Sequence, residues 1–106
     1  MNIELEDIYK LKKFMPSSAD IRSLSNFYYA FSDATRLKII ILLTMKALCV
    51  SDIVDVLNIN QTTVSHQLKI LKSLDIVDAD RTGKNVVYYI KNHSIEEVLN
   101  VSVDCI

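Results

Sequence analysis

The sequence predicts a mainly α fold with one small β-hairpin, and three observations lead there. Ser51–Ser73, SDIVDVLNINQTTVSHQLKILKS, reads as two short helices joined by a tight turn. A β-prone run at Val86–Ile90 follows an earlier one at Leu74–Asp80, across a polar segment holding the only glycine of the chain. Apolar residues at helical spacing fill much of the remaining length.

Taken in order, Leu5, Ile8, Leu11 and Met15 form a stripe at i, i+3, i+6 and i+10, stopped by Pro16, so a helix is expected over about 3–15. Phe27, Tyr28, Ala30 and Phe31 should supply packing from a second helix. Asp33 (or Ser32) caps a third, beginning near Ala34. On it Leu37, Ile40, Ile41 and Thr44 share one face while Ile39, Leu42 and Leu43 fill others, the pattern of a helix buried on several sides. Ile53, Val54 and Leu57 give the next helix one apolar face. Asn58 suits the left-handed residue that ends it, and Asn60 suits the cap of its successor.

From Gln61 the apolar side is Val64, Leu68 and Leu71, with Ile70 beside it. Gln61, Thr62, Thr63, Ser65, His66, Lys69 and Lys72 lie opposite. Such a helix rests one side on a small core and turns hydrogen-bonding side chains outward, as reading base edges in a major groove requires. Gly83, beside Lys84 and Asn85, marks a hairpin turn where positive φ is favoured. A hairpin directly after a recognition helix is a wing, and its tip carries Arg81 and Lys84 for phosphate or minor-groove contact. Ile95, Val98, Leu99, Val103 and Ile106 then mark a last helix over about 94–105, capped by Asn92 or Ser94.

Three of these segments resemble the ArsR/SmtB family of small winged-helix repressors. Phe31-Ser32-Asp33-Ala34-Thr35-Arg36-Leu37-Lys38-Ile39-Ile40 is similar to the opening of that family's first core helix. Thr63-Val64-Ser65-His66-Gln67-Leu68-Lys69-Ile70-Leu71 is similar to its recognition helix, and Thr82–Tyr89 to its wing, which ends in a tyrosine pair. The resemblance implies a winged helix-turn-helix of four helices, a recognition helix, two strands and a final helix. The helix-turn-helix falls at about 51–73 and the wing at about 75–90. It also implies a homodimer through the terminal helices, about 3–15 and 94–105, which sets two recognition helices about one DNA turn apart.

The length of 106 residues suits one domain, 1–106. A net charge of −1 is awkward for a DNA binder, but local patches matter more than totals. Met1-Asn2-Ile3-Glu4 lacks a basic n-region, and the apolar run Leu37–Met45 is too short to span a bilayer, so a cytoplasmic location is expected. No phosphate-binding glycine loop, paired-histidine metal motif or nucleophile–base arrangement points to an enzyme.

The expected function is therefore a dimeric, sequence-specific DNA-binding transcriptional repressor. Gln61, Thr62, Thr63, Ser65 and His66 would contact bases or nearby phosphates, and Lys69, Arg81 and Lys84 the backbone of double-stranded operator DNA. The alternative is a winged-helix protein-interaction module without DNA binding, favoured by the acidic hairpin residues Asp75, Asp78 and Asp80. No cofactor is assigned. Members of the resembled family release DNA when a metal or oxidant alters the dimer, which makes Zn, Cd or As candidate inducers and Cys49 and Cys105 candidate sensing residues. The family's Leu-Cys-Val-Cys-Asp metal motif stands here as Leu48-Cys49-Val50-Ser51-Asp52, with serine in place of the second thiolate. A second family site, on the last helix, aligns with Asn92, Ser94 and Cys105. A register shifted by one offers His93 and Asp104 instead, so the standard site reads as absent.

Overall fold

Side-chain caps and left-handed residues set where the helices begin and end. The computed structural model describes residues 2–106. It contains α1 (Leu5–Phe14), α2 (Ser18–Tyr29), α3 (Ala34–Met45), α4 (Val50–Leu57), α5 (Gln61–Ser73), β1 (Val77–Thr82), β2 (Asn85–Ile90) and α6 (Ser94–Val103). Ser17 caps α2 by accepting from the Asp20 N–H at 3.1 Å, and Asp33 caps α3 by accepting from the Arg36 N–H at 3.0 Å. The start of α6 differs from expectation: His93 occupies the cap position without a side-chain bond, and Asn92 Oδ1 accepts from the Ser94 N–H at 2.9 Å.

Asn58 does end α4 in the left-handed region, at φ 54°. Asp75 ends α5 the same way, at φ 62°. The Ile76 N–H donates to Leu71 O and the Asp75 N–H to Lys72 O, the two bonds of a Schellman closure. It turns the chain straight from α5 into β1 and buries Ile76 with Leu71.

The strands pair antiparallel from Val77↔Ile90 to Thr82↔Asn85, leaving a two-residue turn of Gly83 and Lys84. Gly83 has φ +64° and Lys84 does not have positive φ, as a type II′ turn requires. Arg81 therefore lies within a strand, opposite Val86, and not in the turn. Leu48 extends the sheet by one residue, exchanging both backbone hydrogen bonds with Tyr88. That bridge ties the α3–α4 connection to the hairpin.

Ile39, Ile40, Leu43, Ile53, Val64, Leu68, Leu71, Ile76, Val77 and Ile95 form the core, with Ala30 beneath α2. The face that α3 buries is Arg36, Ile39, Ile40 and Leu43, while Ile41 and Met45 are exposed and Leu37 and Thr44 half-buried. Tyr28 is also exposed, so of the four α2-end residues only Ala30, Phe27 and Phe31 pack inward.

Neither α1 nor α2 buries a single residue in the protomer. The molecule measures 62 × 28 × 22 Å with a radius of gyration of 18.2 Å, against about 13 Å for a rounded chain this long. Its accessible surface is 8041 Å², against roughly 6,000 Å² for a compact chain of this mass.

Candidate nucleic-acid interface

The side chains of α5 divide cleanly. Val64, Leu68 and Leu71 are fully buried, whereas Gln61, Thr62, Ser65, His66 and Lys69 are exposed in an outward row. Asn60 fixes the start of that row, its Oδ1 accepting from the Thr63 N–H at 2.8 Å. Thr63 is half-buried at the edge of the row. A capped helix N-terminus also carries a partial positive charge, which favours an approaching phosphate.

Strand alternation answers part of the charge problem. On β1, Val77, Ala79 and Arg81 share the face that meets the core and α5, and Asp78 and Asp80 point the other way. Val87, opposite Asp80, lines a groove with Asp52, Asp55, Lys46 and Cys49, so the carboxylates gather away from Arg81. Asp75 is paired with Lys91 at 2.9 Å, and hydrogen bonding to Asp75 raises the Lys91 pKa above its ordinary value. Lys84, at the turn, is exposed.

Sequence reasoning missed Arg36. It is the only buried charged side chain among the described residues, at 5% exposure. Its Nε donates to Ala30 O at 3.3 Å, and Nη2 to Tyr29 O at 3.0 Å and Ser32 Oγ at 3.3 Å. Nη1 donates to Gln67 Oε1 at 3.2 Å, and the guanidinium stacks 4.6 Å above the Tyr29 ring. The carbonyls at the end of α2, where the helix dipole favours a cation, receive most of this charge. One side chain thus joins α2, α3 and the middle of α5. Only the stretch Asp33–Arg36 hinted at it, and periodicity cannot distinguish a buried arginine from an exposed one.

Cys49 stands at the cap of α4, its Sγ 3.0 Å from Asp52 Oδ2 and 3.2 Å from Ser51 Oγ. Cys105 is exposed beyond α6, and both thiols are free. One protomer therefore offers a thiophilic ion one sulfur and one carboxylate at Cys49. That is short of the three or four good ligands such ions take, and no group of three His, Cys, Asp or Glu gathers among the described residues.

Residues 33–79, spanning α3 to the start of β1, match the family described as bacterial regulatory protein, arsR family. The cadmium resistance transcriptional regulatory protein CadC of Listeria innocua is 37% identical over 100 residues, covering 93% of this chain and 84% of that protein. The chain belongs to the ArsR family. A transcriptional repressor SmtB homolog of Synechocystis is 29% identical over 93 residues, covering 88% of this chain and 70% of its own length. Among solved structures, the homodimeric winged helix-turn-helix DNA-binding domain of a possible ArsR-family regulator from Mycobacterium bovis superposes with a TM-score of 0.75. It is 27% identical, and the match covers 86% of this chain and 90% of that one. The antimony-specific transcriptional repressor AntR superposes equally well, at 0.75 and 26% identity, over 84% of this chain and 81% of its own. The fold is the winged helix-turn-helix, with α4–α5 as the helix pair and β1–β2 as the wing. The ArsR-family proteins it matches are transcriptional regulators and not enzymes. Among the described residues no helix is long and apolar enough to cross a membrane.

Proposed function

We propose that this chain is a homodimeric, sequence-specific DNA-binding repressor that acts in the cytoplasm on double-stranded operator DNA and answers a thiophilic signal. The outward polar row of α5 carries the reading: its side chains are exposed while the opposite side of the same helix is fully buried. Gln61, Thr62, Thr63, Ser65 and His66 meet bases or adjacent phosphates, and Lys69, Arg81 and Lys84 the backbone. Dimerisation follows from the surface excess. About 2,000 Å² per protomer beyond a compact chain is the scale of an obligate homodimer interface, and the M. bovis relative is homodimeric.

The inducer is a thiophilic metal ion such as Zn, Cd or As, or an oxidant of thiols, acting at Cys49 or Cys105. Relatives named for cadmium and antimony support the metal class. Because one protomer supplies too few ligands at Cys49, a bound ion would need others from the partner subunit.

Anisotropy titrations on DNA from upstream of the chain's own gene, with random DNA as control, test the reading. Selective binding is expected, with Thr63→Ala relaxing the preference for operator. Lys84→Ala should weaken all sequences alike and lower the salt slope by about 1. Equal affinity for both DNAs at every salt concentration would refute it. Adding Zn(II), Cd(II), As(III) or a mild oxidant should release operator from the wild type but not from Cys49→Ser or Cys105→Ser, whichever thiol senses.

A further inference from the structure

The Arg36 guanidinium is a buried cation with no carboxylate in ion-pair range among the described residues. Even Asp33, three residues earlier, commits its carboxylate to the Arg36 backbone N–H. Carbonyls and a hydroxyl satisfy the hydrogen bonds, but dipoles do not neutralise the charge. One of the guanidinium's bonds leaves this pocket, through Nη1 to Gln67.

A guanidinium only donates, so Gln67 must turn Oε1 toward it, which fixes the orientation of the amide. The Gln67 NH2 then faces away. It meets no acceptor among the described residues, and it is not a buried orphan, so it opens to solvent. On α5 Gln67 lies one turn beyond Thr63 on the same flank, between the buried side and the outward row. A donor on the flank of a helix lying in a groove faces the sugar–phosphate ridge beside it. Hydrogen bonding in series from a cation also polarises the amide and strengthens its outer N–H as a donor.

We propose that Gln67 is a DNA-backbone contact, its NH2 presented to a phosphate by Arg36, which serves as the positioning residue behind it. The phosphate supplies the counter-charge that the Arg36 pocket lacks. This rests on the DNA-binding reading above and adds a residue whose position, facing neither core nor groove, gave it no role.

Gln67→Glu separates the phosphate contact from a mere strut. It keeps an acceptor for Arg36, and provides a carboxylate besides, but removes the outward donor. Gln67→Met removes both without adding charge. Thermal midpoints and anisotropy titrations on operator and random DNA are measured for wild type and both variants. Gln67→Glu should match or exceed the wild-type midpoint, yet bind both DNAs at least tenfold more weakly, and Gln67→Met should lose severalfold on both. Binding by Gln67→Glu within twofold of wild type would reduce the pair to a strut and overturn the proposal. So would a loss in Gln67→Glu that Gln67→Met does not share, since that is charge repulsion alone. Failure of the wild type to bind any DNA would instead defeat the DNA-binding reading, and this proposal with it.

Discussion

Asn60 serves the recognition helix twice, by ending the turn in extended backbone and by accepting the Thr63 N–H. Asn60→Ala should cost about 1 kcal/mol, read as a lower midpoint in urea, while leaving the outward row chemically intact. Tyr89 makes a prediction about pH. Its half-burial, then Asp80 and Asp78, raise the phenol pKa above its ordinary value. The folded chain thus holds this proton more tightly than the unfolded chain does. Stability is unaffected well below the unfolded pKa and falls as pH rises through the folded one. Lys91, raised by Asp75, acts in the same alkaline window: its contribution is complete below the unfolded pKa and lost above the folded one. Denaturation midpoints measured from about pH 8 to 11 should therefore decline less steeply for Tyr89→Phe than for wild type. Asn58, Asn60 and Gly83 were legible because each answers a local backbone need. Arg36 was not, because its burial depends on carbonyls and an amide brought together by three helices. Arg36→Ala should lower stability by about 2–4 kcal/mol, through lost packing and the acceptors it strands.

The hairpin shows how far an element can be read from its own residues. Gly83 and the β-prone flanks announced it, and the structure keeps it, with a tighter turn that draws Arg81 into β1. A Cβ on Gly83 would meet nothing within 4 Å, so Gly83→Ala tests the φ of +64° alone. The expected cost is about 1 kcal/mol, and Gly83→Asn should be milder because asparagine tolerates that region. Comparing their thermal midpoints checks it. Reading α3 was harder. With apolar residues on nearly every side, periodicity could not choose a face, and the choice fell to its contacts with α5 and β2. The Leu48 bridge was invisible for a related reason, since a single-residue strand has no pattern.

At the scale of the whole molecule, the exposed apolar groove between α2, α3 and α6, lined by Tyr28, Phe31, Ile41, Val98 and Leu99, adds to the apolar surface that α1 and α2 leave unburied. Leu24 lies on α2 and is 46% exposed in the protomer. Leu24→Glu should shift sedimentation equilibrium toward monomer and weaken operator binding, while the α3–β2 core keeps its circular dichroism. Wild-type thermal midpoints should rise with protein concentration, as association with folding requires. The stripes on the terminal helices were legible as too much apolar surface for a small core. How completely the core leaves out α1 while taking Ile95 of α6 was not, because that depends on where α2 leaves Ala30.

The separation of α1 and α2 from the core has a consequence for the order in which the protein is made. A ribosome delivers these helices before the residues of α3 to α6, and the core holds only the end of α2, through Phe27 and the Arg36 bonds to Tyr29 O and Ala30 O. Helices of ten and twelve residues barely persist alone in water. These two helices are made before the core yet become fully ordered after it, when a second chain covers their exposed apolar faces. Neighbouring ribosomes on one message would shorten that wait, and an orphan chain would offer its early helices to proteases first.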